Sequence, residues 1–236
     1  YSDLQEERVA VGSVDVPEYL RRNRNFTETN LDFILTANKM IGEDINFNGN
    51  LGSNSRRTHF DYIGAATNGG LFVPGLYTLS NSLNAPAAPT EQNYSVGING
   101  YFARGSFLYK NYLSLDLTGR YDVSSTLPSN NNKYFYPSAS LGLIFSELID
   151  LKGISFGKFR MNYANVGADA PALALKDYFA IGTPFNGTSI ASASSTLNNP
   201  NLIPENTTSY EAGLEMQFAD NRFGFDLTAY QATSQT

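Results

Sequence analysis

The chain has 236 residues, with 16% charged residues, a formal net charge of -6 and no cysteine. The lack of cysteine excludes disulfides and thiolate metal sites, and the negative charge argues against nucleic acid as a partner. No run approaches the roughly eighteen apolar residues of a transmembrane helix. A transmembrane β-barrel stays possible, because its strands need only about 9–11 alternating residues.

Alternating apolar and polar residues predict about nine strands. In chain order they cover residues 2–14, 26–41, 45–63, 94–109, 112–125, 133–145 and 154–166, followed by two strands within 207–236. Residues 15–24 are predicted to form a loop, in which Arg21–Arg24 is a solvated basic cluster. Arg104 falls on the same face as Ile98 and Phe102, so we expect a bulge there or a position at the membrane interface.

The predicted connections alternate between short and long. Short ones fall at 42–44, 110–111, 146–153 and 220–221, and longer ones at 15–24, 64–92, 126–132 and 167–206. An up-and-down barrel in an outer membrane places short turns on one side and long loops on the other. Long structureless loops are also uncommon in a compact soluble domain. The pattern therefore favours an all-β fold, a transmembrane antiparallel up-and-down β-barrel.

Residues 207–236 predict a β-hairpin with a two-residue turn at Asp220-Asn221. We expect its apolar face to meet membrane lipids, and its members are Leu214, Met216, Phe218, Phe223, Phe225 and Leu227. In a soluble β-sandwich the same face would instead be core. The hairpin alone does not separate these two folds.

The polar face of this hairpin places Glu215 directly opposite Asp226, and we expect both to face the barrel lumen. Two carboxylates at this spacing resemble the pair that hydrolyses glycosides. Solvated carboxylates beside a cation such as Lys158 or Arg160 are the simpler interpretation. We therefore predict no catalytic role for either residue.

Two further motifs have simpler explanations than chemistry. Gly153–Gly157 matches the G-x-S-x-G pattern of hydrolases, but the only histidine, His59, precedes it, whereas that fold places its histidine after the serine. Asp44–Ser55 begins like a calcium-binding EF-hand loop but ends in serine instead of glutamate. The chain is predicted to hold no catalytic residue, cofactor or metal at these motifs, and calcium in the long loops stays open.

Five segments resemble the SusC/RagA-type TonB-dependent outer-membrane transporters, in the order in which that family carries them. Tyr134–Gly142 resembles the family's yFPSvSlg strand, and Phe159–Gly167 resembles its lRaSYgvtGn segment. Asn199–Thr207 resembles NPnLkwEkt. Leu71–Ser80 and Leu113–Pro128 match two more of its characteristic stretches.

This resemblance implies a barrel of about 22 strands around a plug domain, a TonB-interacting box, and a SusD-like surface lipoprotein that covers the pore. All of residues 1–236 would belong to the barrel, as a fragment of about nine strands without plug or TonB box. A start at Tyr1 without methionine and an end in strand-like sequence agree with this expectation. The implied function is active import of oligosaccharides or peptides across a bacterial outer membrane, energised through TonB.

Long loops carry recognition on rigid scaffolds. We therefore expect contacts with cargo or the lipoprotein in 64–92 and 167–206, and the candidate residues are Phe72, Tyr77, Asp169 and Asp177. Two alternatives stay open. A soluble or surface β-sandwich module for adhesion or carbohydrate binding would purify without detergent, and a passive porin would have no plug domain.

Overall fold

A computed structural model describes residues 1–8, 17–149 and 152–235, and they are almost entirely strands, turns and loops. The strands are β1 Ser2–Arg8, β2 Tyr19–Ile41, β3 Ile45–Ala66, β4 Asn68–Leu71, β5 Ser82–Asn84, β6 Thr90–Tyr109, β7 Leu113–Ser124, β8 Lys133–Ile144, β9 Ile154–Ala168, β10 Phe179–Phe185, β11 Thr188–Ala193, β12 Glu205–Phe218 and β13 Phe223–Gln235. Single 3-10 turns lie at Leu79–Asn81 and Phe145–Glu147. Among these residues, no helix is long and apolar enough to cross a membrane.

One nine-stranded sheet contains every long strand, in the order β1-β2-β3-β6-β7-β8-β9-β12-β13. Each strand therefore neighbours the next long strand along the chain, as in an up-and-down meander. The short pairs β4-β5 and β10-β11 form separate two-stranded sheets within connections that were predicted to be irregular. The prediction of about nine strands in up-and-down order is confirmed. The predicted alternation of connection lengths does not hold between β7 and β9, where residues 125–132 and 145–153 form connections of eight and nine residues. The sheet is open in the described residues, since β1 and β13 are not neighbours.

The first predicted loop is wrong over most of its length, because β2 already begins at Tyr19. Arg21–Arg24 is therefore part of a strand and not of a loop. Cross-strand charge explains this difference, since Glu6 lies opposite Arg21 and Asp3 opposite Arg24. Of the predicted strand 2–14, residues 2–8 form β1, and residues 9–14 lie outside the described residues.

The bulge expected near Arg104 is absent, because β6 and β7 pair without interruption from Ile98 to Tyr109. Arg104 lies on the polar face of the sheet, where its guanidinium is 2.9 Å from the Asp116 carboxylate. Phe102 shares that face, and its ring lies over Gly52, where an added Cβ would lie 2.8 Å from Phe102 Cε2 and closer still to Phe102 Cζ. The apolar face of β6 is thus the opposite one.

The terminal hairpin has the predicted register, with Phe218 opposite Phe223 and Leu214 opposite Leu227. Its connection is longer than predicted and spans residues 219–222. Ala219, Asp220 and Asn221 all adopt left-handed backbone angles, with φ of 52°, 56° and 65°. These three left-handed residues reverse the direction of the chain, so that Arg222 N donates a hydrogen bond to Phe218 O at 3.1 Å.

The contacts divide the chain into two compact units. The first comprises Tyr1–Thr29, Arg57–Gly97 and Pro171–Pro200, and the second comprises Asn30–Arg56, Ile98–Ala170 and Asn201–Thr236. The first unit holds the connection between β3 and β6 and most of the connection between β9 and β12. The second unit holds the terminal hairpin and the strands that pair with it.

Candidate functional site

The second unit exposes a broad apolar face. In the terminal hairpin, Met216 lies opposite Phe225 and Leu214 opposite Leu227, as predicted. Leu227 is 67% exposed and Phe223 is 71% exposed. Paired residues of adjacent strands project to the same side of a sheet, so the strand pairings extend this face from β13 to β6.

On the neighbouring strands the same face is again apolar. It includes Tyr101, Phe107 and Tyr109 of β6, Leu113, Leu115, Leu117 and Tyr121 of β7, Phe135, Leu141 and Leu143 of β8, and Phe159, Met161 and Tyr163 of β9. The Phe47 and Phe107 ring centroids lie 5.0 Å apart, which carries the face onto β3. On β6, β7 and β8 these residues each span nine positions, which is close to the length of about 9–11 residues that crosses a bilayer in a tilted barrel strand.

The opposite face of the second unit is polar and hydrogen-bonded. Thr118 and Ser138 share a hydrogen bond of 2.6 Å between β7 and β8, and the Ser140 hydroxyl donates to Asn162 at 2.6 Å between β8 and β9. The Tyr136 hydroxyl donates to Asp122, whose carboxylate also accepts from Arg120 Nε at 2.9 Å. Side chains of three consecutive strands, β7 to β9, thus engage partners on this face.

Arg160 on β9 organises the polar face of the terminal hairpin. Its guanidinium donates to both carboxylate oxygens of Asp226, at 2.7 and 3.2 Å, and to the Thr228 hydroxyl at 2.5 Å. Arg160 Nε is also 3.9 Å from a carboxylate oxygen of Glu211. Arg160 is therefore the cation that pairs with Asp226, one of the two basic residues considered from the sequence.

Glu215 lies opposite Asp226 in β13, as predicted, and opposite Lys158 in β9. Asp226 is paired with Arg160, which reaches it from two strands away, and Glu215 has Lys158 directly opposite on β9. Solvated charges of opposite sign in this arrangement are typical of a polar surface. A hydrolytic pair needs one carboxyl group held protonated by an apolar or anionic environment. Arg160 instead supplies Asp226 with positive charge.

Gly213 lets the Arg160 side chain lie across β12 to reach β13. Gly213 is the direct cross-strand partner of Arg160, and a Cβ added to it would lie 2.6 Å from Arg160 Cζ and 2.8 Å from Arg160 Cγ. Gly100 has the same role beneath Arg120 and Asp122. Neither glycine was singled out from the sequence. For Gly213, the sequence signal was a glycine on the polar face of a predicted strand, opposite an arginine.

Two of the four candidate loop residues lie in the connection between β3 and β6. Phe72 is 73% exposed. Tyr77 is half-buried, with its ring centroid 6.4 Å from that of Tyr19 and 5.6 Å from the Arg8 guanidinium carbon. The same group includes Glu6, whose pKa is lowered by hydrogen bonds from Arg8 and Tyr19. Tyr77 thus anchors the connection to β1 and β2, while Phe72 is open to a partner.

The other two candidates already have structural partners. Asp169 accepts hydrogen bonds from the Ser124 hydroxyl at 2.8 Å and the Thr126 hydroxyl at 3.3 Å. Asp177 accepts from the backbone N–H of Asn198 at 2.7 Å, which closes part of the connection between β9 and β12. Asp169 belongs to the second unit and the other three candidates to the first.

The two motif matches have structural roles. Ser155 lies within β9, not at a strand-to-helix turn, and its Oγ accepts from Asn221 N at 3.2 Å. Asp44 ends the turn between β2 and β3, and its carboxylate lies 3.5 Å from Lys110 Nζ and raises the pKa of that ammonium. Within residues 1–8, 17–149 and 152–235, no three Asp, Glu or His side chains form a metal-binding group.

The family model described as "TonB dependent receptor-like, beta-barrel" matches residues 3–235. The chain belongs to this family. Membership implies an outer-membrane location, and the nine-stranded sheet is accordingly a part of a TonB-dependent receptor β-barrel. The β-sandwich alternative is wrong, because the long strands form one continuous sheet instead of two packed sheets.

A curated TonB-dependent relative, "TonB-dependent receptor P26" of Formosa agariphila, is 31% identical over 164 residues. The match covers 66% of this chain and 16% of that protein. The chain therefore spans a small part of this relative's length.

Solved structures show the same barrel fold. "Structure of the RagAB peptide transporter" matches with a TM-score of 0.75 and 21% identity, over 92% of this chain and 25% of that chain. The RagAB peptide importer in the "open-open" state matches with a TM-score of 0.74 and 21% identity, over 99% of this chain and 27% of that chain.

Proposed function

We propose that residues 1–236 form part of the barrel of a SusC/RagA-type active importer. The observation that carries this proposal is the contrast between the two faces of the second unit. One face presents large exposed apolar side chains across at least seven strands, from β3 to β13, whereas soluble monomers rarely expose apolar patches beyond a few hundred Å². Lipid covers that face in the working protein, and the ion-paired face lines the lumen.

Cargo capture falls to the long connections, in agreement with the similarity to the RagAB peptide transporter. The cargo is an oligosaccharide or a peptide, a SusD-like surface lipoprotein closes over it, and TonB opens a plug that lies outside this chain. The chain's own residues carry out no covalent step. They provide a lipid-facing wall, a hydrated inner wall and the loops that select cargo.

The two sides of β13 allow a direct test of orientation. Leu227 and Thr228 are adjacent and lie on opposite faces. Each is replaced by cysteine in the full-length protein, after removal of any other cysteines, and the outer membranes are treated with a water-soluble maleimide. We expect labelling of Thr228→Cys and protection of Leu227→Cys. Equal labelling of both variants would reject the lipid-facing assignment.

Transport requires its own measurement. Cells that express the full-length protein are given fluorescent neutral oligosaccharides or peptides, with and without functional TonB. We expect uptake of one cargo class only when TonB is present. Uptake that persists without TonB would favour the passive porin.

A further inference from the structure

The connection between β3 and β6 carries an exposed apolar tip at residues 72–76. Phe72 is 73%, Val73 46% and Leu76 51% exposed. No Asp, Glu, Lys, Arg or His occurs between Asp61 and Glu91. The tip therefore lies in a long charge-free stretch of a chain in which 16% of residues are charged.

A buried asparagine holds this tip in one conformation. Asn81 is 7% exposed, and its amide nitrogen donates to Val73 O at 2.9 Å and Leu76 O at 2.7 Å. Its side-chain oxygen accepts from Val73 N at 3.0 Å, and its backbone oxygen accepts from Phe72 N at 2.9 Å. Gly75 supplies the left-handed residue of the turn, with φ of +82°. The apolar side chains are thus presented on a preformed backbone.

The base of the connection is fixed as firmly as the tip. Thr67 N donates to Tyr19 O at 2.9 Å, and Tyr19 N donates to the Thr67 hydroxyl at 3.0 Å. Tyr77 contacts the Arg8 guanidinium on the other side of the tip. A loop that is already ordered before it binds loses little conformational entropy on binding.

These features indicate a protein partner. Charge depletion together with exposed aromatic side chains characterises the buried core of protein–protein interfaces. Lipid is a poorer partner, because residues 62–90 contain no cation for an anionic headgroup.

We infer that the 72–76 tip docks into an apolar pocket on the SusD-like surface lipoprotein, with Phe72 and Leu76 as its anchoring side chains. This inference rests on the proposed function. On this inference, one preformed loop, the 72–76 tip, is the fixed point of contact between the barrel and the lipoprotein that covers the pore. Buried apolar anchors of this kind dominate the binding free energy of an interface.

The test uses the full-length protein, affinity-purified from outer membranes, and quantifies the SusD-like lipoprotein recovered per transporter. The variant Phe72→Asp/Leu76→Asp places two charges in the tip. Its matched control, Ala87→Asp/Ala88→Asp, places two charges at exposed positions of the same charge-free connection. We expect the tip variant to lower recovery by at least about tenfold and the control to leave recovery unchanged.

Asn81→Ala provides a second measurement, since it frees the tip without changing its apolar side chains. We expect a smaller loss of lipoprotein, about two- to tenfold, from lost preorganisation. Unchanged recovery with the tip variant, or an equal loss with the control, overturns the inference. A tip variant that keeps the lipoprotein but carries less bound lipid would reassign the tip to the membrane.

The inference and the proposed function fail in different ways. TonB-dependent uptake by a wild-type protein that recovers no lipoprotein would reject the docking tip and leave the importer intact. Uptake that does not depend on TonB would reject the importer, whatever the tip variant shows.

Discussion

Leu227 and Thr228 are neighbours on β13, yet they lie on opposite faces of the sheet, and different interactions hold the side chains of each face. Thr228 accepts a hydrogen bond from Arg160, which also holds Asp226. Leu227 pairs across the strand with Leu214 and is 67% exposed. The polar face depends on particular partners, whereas the apolar face, in the orientation proposed above, requires only that each residue be compatible with lipid. Different substitutions should therefore destabilise the two faces.

The largest difference should come from placing a charge on each face. We expect Leu227→Arg to lower the free energy of unfolding in a bilayer by about 2–4 kcal/mol, because it places a cation against hydrocarbon. Tyr230→Arg, three residues along β13, should change it by less than about 1 kcal/mol, since residue 230 lies opposite Glu211 on the polar face. Denaturant unfolding of both variants checks the pair, and equal costs would contradict the proposed orientation.

A smaller effect should follow from adding a side chain where the polar face has none. Gly213→Val would displace the Arg160 guanidinium and lose its bonds to Asp226 and Thr228, at a cost of about 1–3 kcal/mol. The same change in an Arg160→Ala background should cost clearly less, because the guanidinium is already absent. A double-mutant cycle of unfolding free energies measures this coupling. Additive costs would show that Gly213 does not serve Arg160.

The smallest effect should come from the ion pair itself. Asp226 is half-exposed at 51% of its side chain, so screening by water limits the attraction. We expect Asp226→Asn to cost at most about 1 kcal/mol at low salt and less at 1 M salt. Unfolding at the two salt concentrations checks this dependence. A cost that salt does not change would indicate a hydrogen-bonding role in place of a charge effect.

The sequence was sufficient for features that depend on strict alternation. The hairpin register followed from matching Leu214 with Leu227 and Phe218 with Phe223, because a slip by one residue would exchange the two faces. The order of the long strands followed from the same period. These are local signals, each contained in one or two strands.

Features that depend on a distant partner could not be read in this way. The basic run Arg21–Arg24 resembled a loop because its register against the acidic residues of β1 cannot be read from the run itself. Phe102 suggested the wrong apolar face for β6. Its ring packs over Gly52 of β3, and this contact between two strands cannot be read from the sequence of β6 alone. Asn81 was missed because its hydrogen-bond partners are backbone atoms, which no residue type reveals.

The glycines beneath Arg120 and Arg160 also determine how far side chains protrude from the polar face, which we propose to be the inner wall. An arginine that spans a glycine lies flat, so its methylene groups cover the strand and its guanidinium meets a carboxylate sideways. At these two positions the polar face therefore carries charge without a protruding side chain, because Arg120 pairs with Asp122 and Arg160 with Asp226. A protein segment that moves along this surface would meet few protruding side chains at these positions. A polar solute that passes them would find no unpaired charge on Arg120 or Arg160 to bind it.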